Sequence, residues 1–140
     1  MDKTVAQKMG IKQDTRTYFQ NSPDNFCEIL QAPPLNVMKA LEGKFDYIHL
    51  FVVSITELEK AVRDLEPYLS ETGHFWVSWP KSKKLETDLS LPIIIKLIYK
   101  AGLVESKVLS IDTTWSAIKL TRPIKNKVYK NHFGDLNQET

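Results

Sequence analysis

Apolar positions along this chain fall into runs of two periods. The clearest run covers residues 45–53, where Tyr47, Ile48, Leu50, Phe51, Val52 and Val53 leave neither face polar. A strand of this kind needs cover on both sides, as in the middle of a parallel sheet. Ser54-Ile55-Thr56-Glu57 follows and reads as a capping box. The helix behind it puts Ile55, Leu58, Ala61, Val62 and Leu65 on one face, with Glu59 and Arg63 placed to pair on the other. Pro67 and Gly73 are expected to close this unit before a second buried strand, residues 74–79. Thr87, Asp88 or Ser90 can cap the next helix, residues 91–101, with Gly102 at its C-terminal end. Strands at 104–111 and 115–121 come last, joined by Asp112-Thr113-Thr114. A join that short predicts an antiparallel pair.

The N-terminal third is less regular. Residues 5–11 read as a short helix ending near Gly10, and 14–20 as a strand carrying Thr15, Thr17, Tyr18 and Phe19. Ser22 suits an N-cap and Pro23 the first helical position. Phe26, Cys27, Ile29 and Leu30 give that helix its apolar side, and Ala32-Pro33-Pro34 stops it. Residues 35–41 stay open, with a short strand as one reading. Strands alternating with helices imply right-handed crossovers and helices on both sheet faces. The expected fold is therefore α/β: a three-layer Rossmann-like sandwich, mostly parallel, with an antiparallel C-terminal edge pair. One domain is expected over residues 1–122, followed by a polar, basic, flexible tail at 123–140.

Composition narrows the partners. The 140 residues are 42% apolar and 26% charged with net charge +2, so no global field points to nucleic acid or anionic lipid. Cys27 is the only cysteine, which excludes an intramolecular disulfide and suits a reducing compartment. The first residues carry no apolar signal core, and the segment Leu91-Pro92-Ile93-Ile94-Ile95-Lys96-Leu97-Ile98-Tyr99 is too short to span a bilayer. A cytoplasmic location is expected. That segment is apolar around most of a helix, which suggests core burial, with a homo-oligomer face as the alternative. In the tail, Arg122, Lys125, Lys127 and Lys130 interleave with Tyr129 and Phe133. Such a mixture can grip single-stranded nucleic acid, but a solvated tail explains the same letters and the small net charge favours it.

Most chemistries lack their parts. Dinucleotide and S-adenosylmethionine sites on such folds use a glycine-rich turn after the first strand, where the backbone approaches the ligand closely. The five glycines here, Gly10, Gly43, Gly73, Gly102 and Gly134, are all far apart. The corresponding turn reads Gln20-Asn21-Ser22-Pro23-Asp24, in which proline removes a donor and Asp24 repels an anion. There is no Walker loop and no serine elbow. His49, His74 and His132 are too dispersed for a metal site. His49 shares a strand face with Tyr47 and Phe51 and reads as a hydrogen-bonded core histidine. His74 begins its strand, away from the usual crevice. No catalytic residue and no metal ligand is assigned.

Two resemblances add to this reading. Residues 45–122 resemble in layout the C-terminal half of class I methyltransferases: a strand opening Phe-Asp, an amphipathic helix, a turn with glycine, strand, helix and closing antiparallel pair. Most of the chain is similar to the bacterial family known as domain of unknown function 3052. The segments that carry this are Asn21-Ser22-Pro23, Phe45-Asp46-Tyr47-Ile48-His49-Leu50-Phe51, Trp76-Val77-Ser78-Trp79-Pro80-Lys81, Thr87-Asp88-Leu89 and Asp112-Thr113-Thr114-Trp115-Ser116-Ala117-Ile118-Lys119. The tryptophan segments are the most specific. Where that family usually carries a Glu-Gly-Tyr-like run after the first proline, this chain has Asp24-Asn25-Phe26. The resemblance implies the fold and no reaction.

Ligands of open α/β sheets bind outside the carboxyl ends of the strands. Asn21, Ser22, Ser54, Ser78, Trp79 and Lys81 fall at such ends. A polar pocket is therefore the candidate site, floored by Asn21, Ser54, Ser78 and Thr87, with Trp79 or Trp115 as wall and Lys81 for an anion. Ser22 and Asp88 lie at its margins. The competing reading makes both tryptophans core and both serines helix caps. The first expectation for function is a non-catalytic or unassigned binding domain, methyltransferase-like but without the cofactor loop and with no cofactor predicted. The alternatives are a divergent enzyme using S-adenosylmethionine or a nucleotide through Asn21-Ser22-Pro23, and a nucleic-acid accessory protein using the tail.

Overall fold

A computed structural model describes residues 3–123, with the backbone of 130–131 and 134–135. The elements run α1 (Val5–Met9), β1 (Arg16–Gln20), α2 (Phe26–Leu30), β2 (Asn36–Val37), β3 (Phe45–Phe51), α3 (Ile55–Leu65), β4 (Leu69–Pro80), α4 (Leu91–Lys100), β5 (Val104–Ser110) and β6 (Trp115–Thr121). Six strands form one sheet in the order β2-β1-β3-β4-β6-β5. The first four are parallel neighbours, and β6 runs antiparallel to both β4 and β5. The expected edge pair is therefore antiparallel, with the last strand inserted beside β4.

Period-2 alternation sorts the sheet's side chains onto two faces. Ile48, Leu50, Phe75, Val77 and Trp79 pack under α3 and α4 with Leu58, Val62, Leu65, Ile94 and Ile98. Tyr47, Phe51, Trp76, Ala117 and Ile111 pack under α1 and α2 with Ala6, Met9, Phe26 and Leu30. This is the three-layer sandwich that the sequence predicts. In α4, Ile94, Ile95, Ile98 and Tyr99 are buried within the chain, so much of its apolar surface is already covered. The polar tail expected at 123–140 falls largely outside the described residues; within it, Lys130–Asn131 pairs antiparallel with Gly134–Asp135.

Three boundaries differ from the sequence reading. Gly73 does not end a unit but lies inside β4, which starts at Leu69. A Cβ on Gly73 would stand 2.9 Å from the Phe45 carbonyl oxygen and 2.7 Å from Ser70 Oγ, so this glycine marks a close backbone approach within the sheet. Arg122 pins the same start, donating to the carbonyls of Glu66 (3.0 Å) and Leu69 (2.7 Å). Ser22 and Pro23 do not start α2: the helix begins at Phe26, with Asn25 as a cap that makes no side-chain hydrogen bond. Asn21 sits at φ 61°, and Pro23 accepts instead from Phe26 N at 3.0 Å, so the chain turns once more before the helix. Thr87 and Asp88 do not cap α4; Ser90 stands at its N-cap without a side-chain bond, with Pro92 in the first turn.

Candidate functional site at the carboxyl edge of the sheet

From β1 the chain crosses to β2 on one side, then returns past β1 to β3 on the other. The carboxyl ends of β1 and β3 thus flank the point where the strand order reverses, which is where open α/β sheets take their ligands. The side chain of Asn21, immediately after β1, donates through Nδ2 to the Phe51 carbonyl at the end of β3 (3.4 Å). It therefore reaches across that point. The hollow beside it, lined by Gln20, Asn21, Glu57, Lys60, Ala61 and Asp64, has a volume of about 140 Å³. Small-molecule sites span roughly 300–1,000 Å³.

The N-terminus of α3 opens on the same edge, and such a terminus is an anion site when its amides are free. Here the amides of Ser54, Ile55 and Glu57 are taken. Ser54 Oγ accepts from Glu57 N (3.1 Å), and Glu57 Oε1 accepts from the amides of Ser54 (3.1 Å) and Val53 (3.0 Å). Asp88 Oδ1 accepts from Ile55 N at 2.8 Å. Thr87 Oγ1 donates to the Val53 carbonyl and accepts from Leu89 N (3.1 Å). Thr87 and Asp88, expected to cap the helix after them, thus tie their loop to the start of α3. Lys81 Nζ donates to Ser110 Oγ on β5. Ser54→Ala is expected to cost about 1 kcal/mol in chemical denaturation, the usual worth of an N-cap. A loss below about 0.3 kcal/mol would show that Glu57 alone carries the cap.

The remaining candidates point elsewhere. Ser78 is fully buried, with Oγ 2.7 Å from His49 Nε2, and His49 Nδ1 is 2.7 Å from the Tyr47 hydroxyl. A serine beside a histidine is the arrangement that activates a nucleophile, and sequence inspection did not find it because the partners lie on neighbouring strands. Both are sealed, however: His49 lies between Phe51 (4.7 Å, 15°) and Trp76 (6.4 Å, 23°), with the Phe26 ring edge-on at 4.7 Å. Burial pushes the imidazole down to a pKa of about 3. His49 is thus the neutral core histidine the sequence suggests, one ring nitrogen donating and the other accepting. Trp79 packs on the opposite face, under α3 and α4, so Ser78 and Trp79 cannot line one pocket. Trp115 packs edge-on to Phe51 at 5.0 Å. Burial raises the Cys27 thiol above its ordinary range, which disfavours a reactive thiolate. Among the described residues no group of three or more His, Cys, Asp or Glu could hold a metal ion, and no helix is long and apolar enough to cross a membrane.

A parallel sheet wound this way, with its last strand inserted antiparallel beside β4, is the fold of class I S-adenosylmethionine-dependent methyltransferases, and solved structures of that class match the chain. A ribosomal protein L11 methylase from Lactobacillus delbrueckii subsp. bulgaricus superposes with a TM-score of 0.57 at 12% identity, over 82% of this chain and 73% of that one. A TehB-like methyltransferase from Corynebacterium glutamicum gives 0.56 at 10% identity, over 84% and 85%. A Synechocystis magnesium protoporphyrin IX methyltransferase with bound SAM gives 0.57 at 10%, over 85% and 74%. At these identities the likeness is one of fold. No protein-family model matches the chain, nor does any curated protein sequence.

Proposed function

We propose that this chain is a methyltransferase-fold binding domain that performs no methyl transfer and does not use S-adenosylmethionine. The observation that carries this reading is the Asn21 bridge to Phe51 at the reversal point, beside a hollow of about 140 Å³. The turn itself agrees: Pro23 offers no amide donor, and Asp24 would repel the cofactor's carboxylate. So does α3, whose first amides already bind Ser54, Glu57 and Asp88. The residues of this edge therefore do not fit the cofactor.

The competing reading, a divergent S-adenosylmethionine enzyme, is favoured by the fold it shares with structures holding SAM, SAH or sinefungin. Calorimetric titration separates the two. With folded protein and millimolar S-adenosylmethionine or S-adenosylhomocysteine, no binding heat is expected. Selective micromolar binding would overturn the proposal and make Asn21, Ser22, Ser54 and Ser78 the residues to substitute.

A further inference from the structure

Helical spacing puts Pro92, Ile95, Lys96 and Tyr99 on one stripe of α4. Leu97 and Ala101 line a groove toward α3, so the stripe faces the other way, over β5. There the Tyr99 hydroxyl donates to Glu105 Oε1 at 3.1 Å. β5 is the last strand of the sheet, yet Ile95 and Tyr99 are only 5% and 6% exposed. One further element reaches this helix: the backbone of Gly134–Asp135 lies against α4. With Lys130–Asn131 it forms a hairpin of two-residue strands, and such a hairpin holds only when packed on something else.

The chain sets out from close by. Thr121, the last residue of β6, pairs with Val104, just past the end of α4 at Lys100. The Arg122 bonds to the Glu66 and Leu69 carbonyls fix that point of exit. Residues 124–133 reach about 33 Å when extended, against about 15 Å for the length of α4. Their letters suit the flank. Ile124, Val128, Tyr129, Phe133 and Leu136 offer apolar cover. Lys125, Lys127 and Lys130 precede the strand at α4, whereas Asp135 and Glu139 lie in it or after it. α4 exposes Lys96 and Lys100, the opposite charge.

We infer that residues 124–140 are the occupant of this flank: they fold back as a clasp on α4, seat apolar side chains against Ile95 and Tyr99, and set Asp135 and Glu139 toward Lys96 and Lys100. The clasp closes, within one chain, a face of α4 that its apolar sequence also offers to a second copy. A freely solvated tail would leave Ile95 and Tyr99 to water at the sheet edge, against the hydrophobic effect. This inference stands apart from the carboxyl edge and holds whether or not S-adenosylmethionine binds there.

The test uses the full chain carrying Cys27→Ser and Gln138→Cys, with a nitroxide attached at position 138 and nitrogen-15 in the backbone. Cys27 is the only native cysteine, so the nitroxide has one place to go. The amides of Ile95, Lys96, Tyr99 and Glu105 are expected to lose intensity, while those of Ala6 and Phe26, on the other face of the sheet, keep theirs. The loss is expected to persist on dilution. It should be absent when nitroxide-bearing chains without nitrogen-15 are mixed with nitrogen-15 chains without nitroxide. Phe133→Ser with Leu136→Ser, added to the nitroxide-bearing chain, is expected to restore the α4 signals. Full intensity at α4 in the single-chain experiment would overturn the inference. So would a loss seen only in the mixture, which would give the flank to a second copy. Signals that stay weak with Phe133→Ser and Leu136→Ser would overturn the apolar seating.

Discussion

Acidification from pH 6.5 to about 4 is expected to cost the folded chain on the order of 3 kcal/mol through His49 alone. The sign follows from the direction of the shift. In the unfolded chain the imidazole titrates near its ordinary 6.5; in the fold, burial lowers it to about 3. Between those values the unfolded chain binds the extra proton, so stability rises with pH across that window and is lost as pH falls. His74 is lowered too, first by partial burial, and adds in the same direction. Urea unfolding at pH 7 and about pH 4.5 measures the sum. His49→Leu should flatten the dependence while lowering stability at pH 7, because it leaves Ser78 and Tyr47 without their shared partner. A profile in His49→Leu as steep as in the parent would assign the acid loss to other groups.

Phe26→Ala is expected to cost about 3–5 kcal/mol, the range for removing a buried phenylalanine. A helix of five residues has no stability of its own, and α2 has only that length. What holds it is Phe26, 2% exposed, edge-on to Phe19 (5.4 Å), His49 (4.7 Å) and Phe51 (4.7 Å). The truncation would also uncover the histidine. Cys27→Ser, at the exposed neighbour, should stay within about 0.5 kcal/mol. A loss below about 1 kcal/mol for Phe26→Ala would mean that α2 is held by its backbone bonds instead.

The half of the chain that follows Phe45 was the more legible half. There β3 and the second half of β4 are buried on both faces and Ser54 opens a capping box, so period and cap agree with the final structure. The N-terminal third gave less, because its elements are five residues or fewer and such lengths hold little periodic signal. Ser22-Pro23 has the letters of a helix start, but Asn21 in the left-handed region carries the chain through a further turn. Gly73 looked like punctuation and is a contact, which only the nearness of the Phe45 carbonyl reveals. At the carboxyl edge Ser54 caps α3 as its capping box predicts, whereas Thr87 and Asp88, read as caps of the following helix, serve α3 instead. All three gather around the first turn of α3. The Asp88 and Thr87 bonds span more than thirty residues and leave no trace in local spacing.

The central claim, that the chain's own side chains occupy the carboxyl edge, is tested most directly at the Asn21 side-chain amide. Its nitrogen-15 signals should be followed by nuclear magnetic resonance as S-adenosylmethionine is added to the millimolar range. If Asn21 stays bound to the Phe51 carbonyl, those signals and the Ser54 and Ile55 amides will not move. Saturable movement of Asn21 together with Ser54 would mean that the bridge opens to admit the cofactor, and would contradict the account.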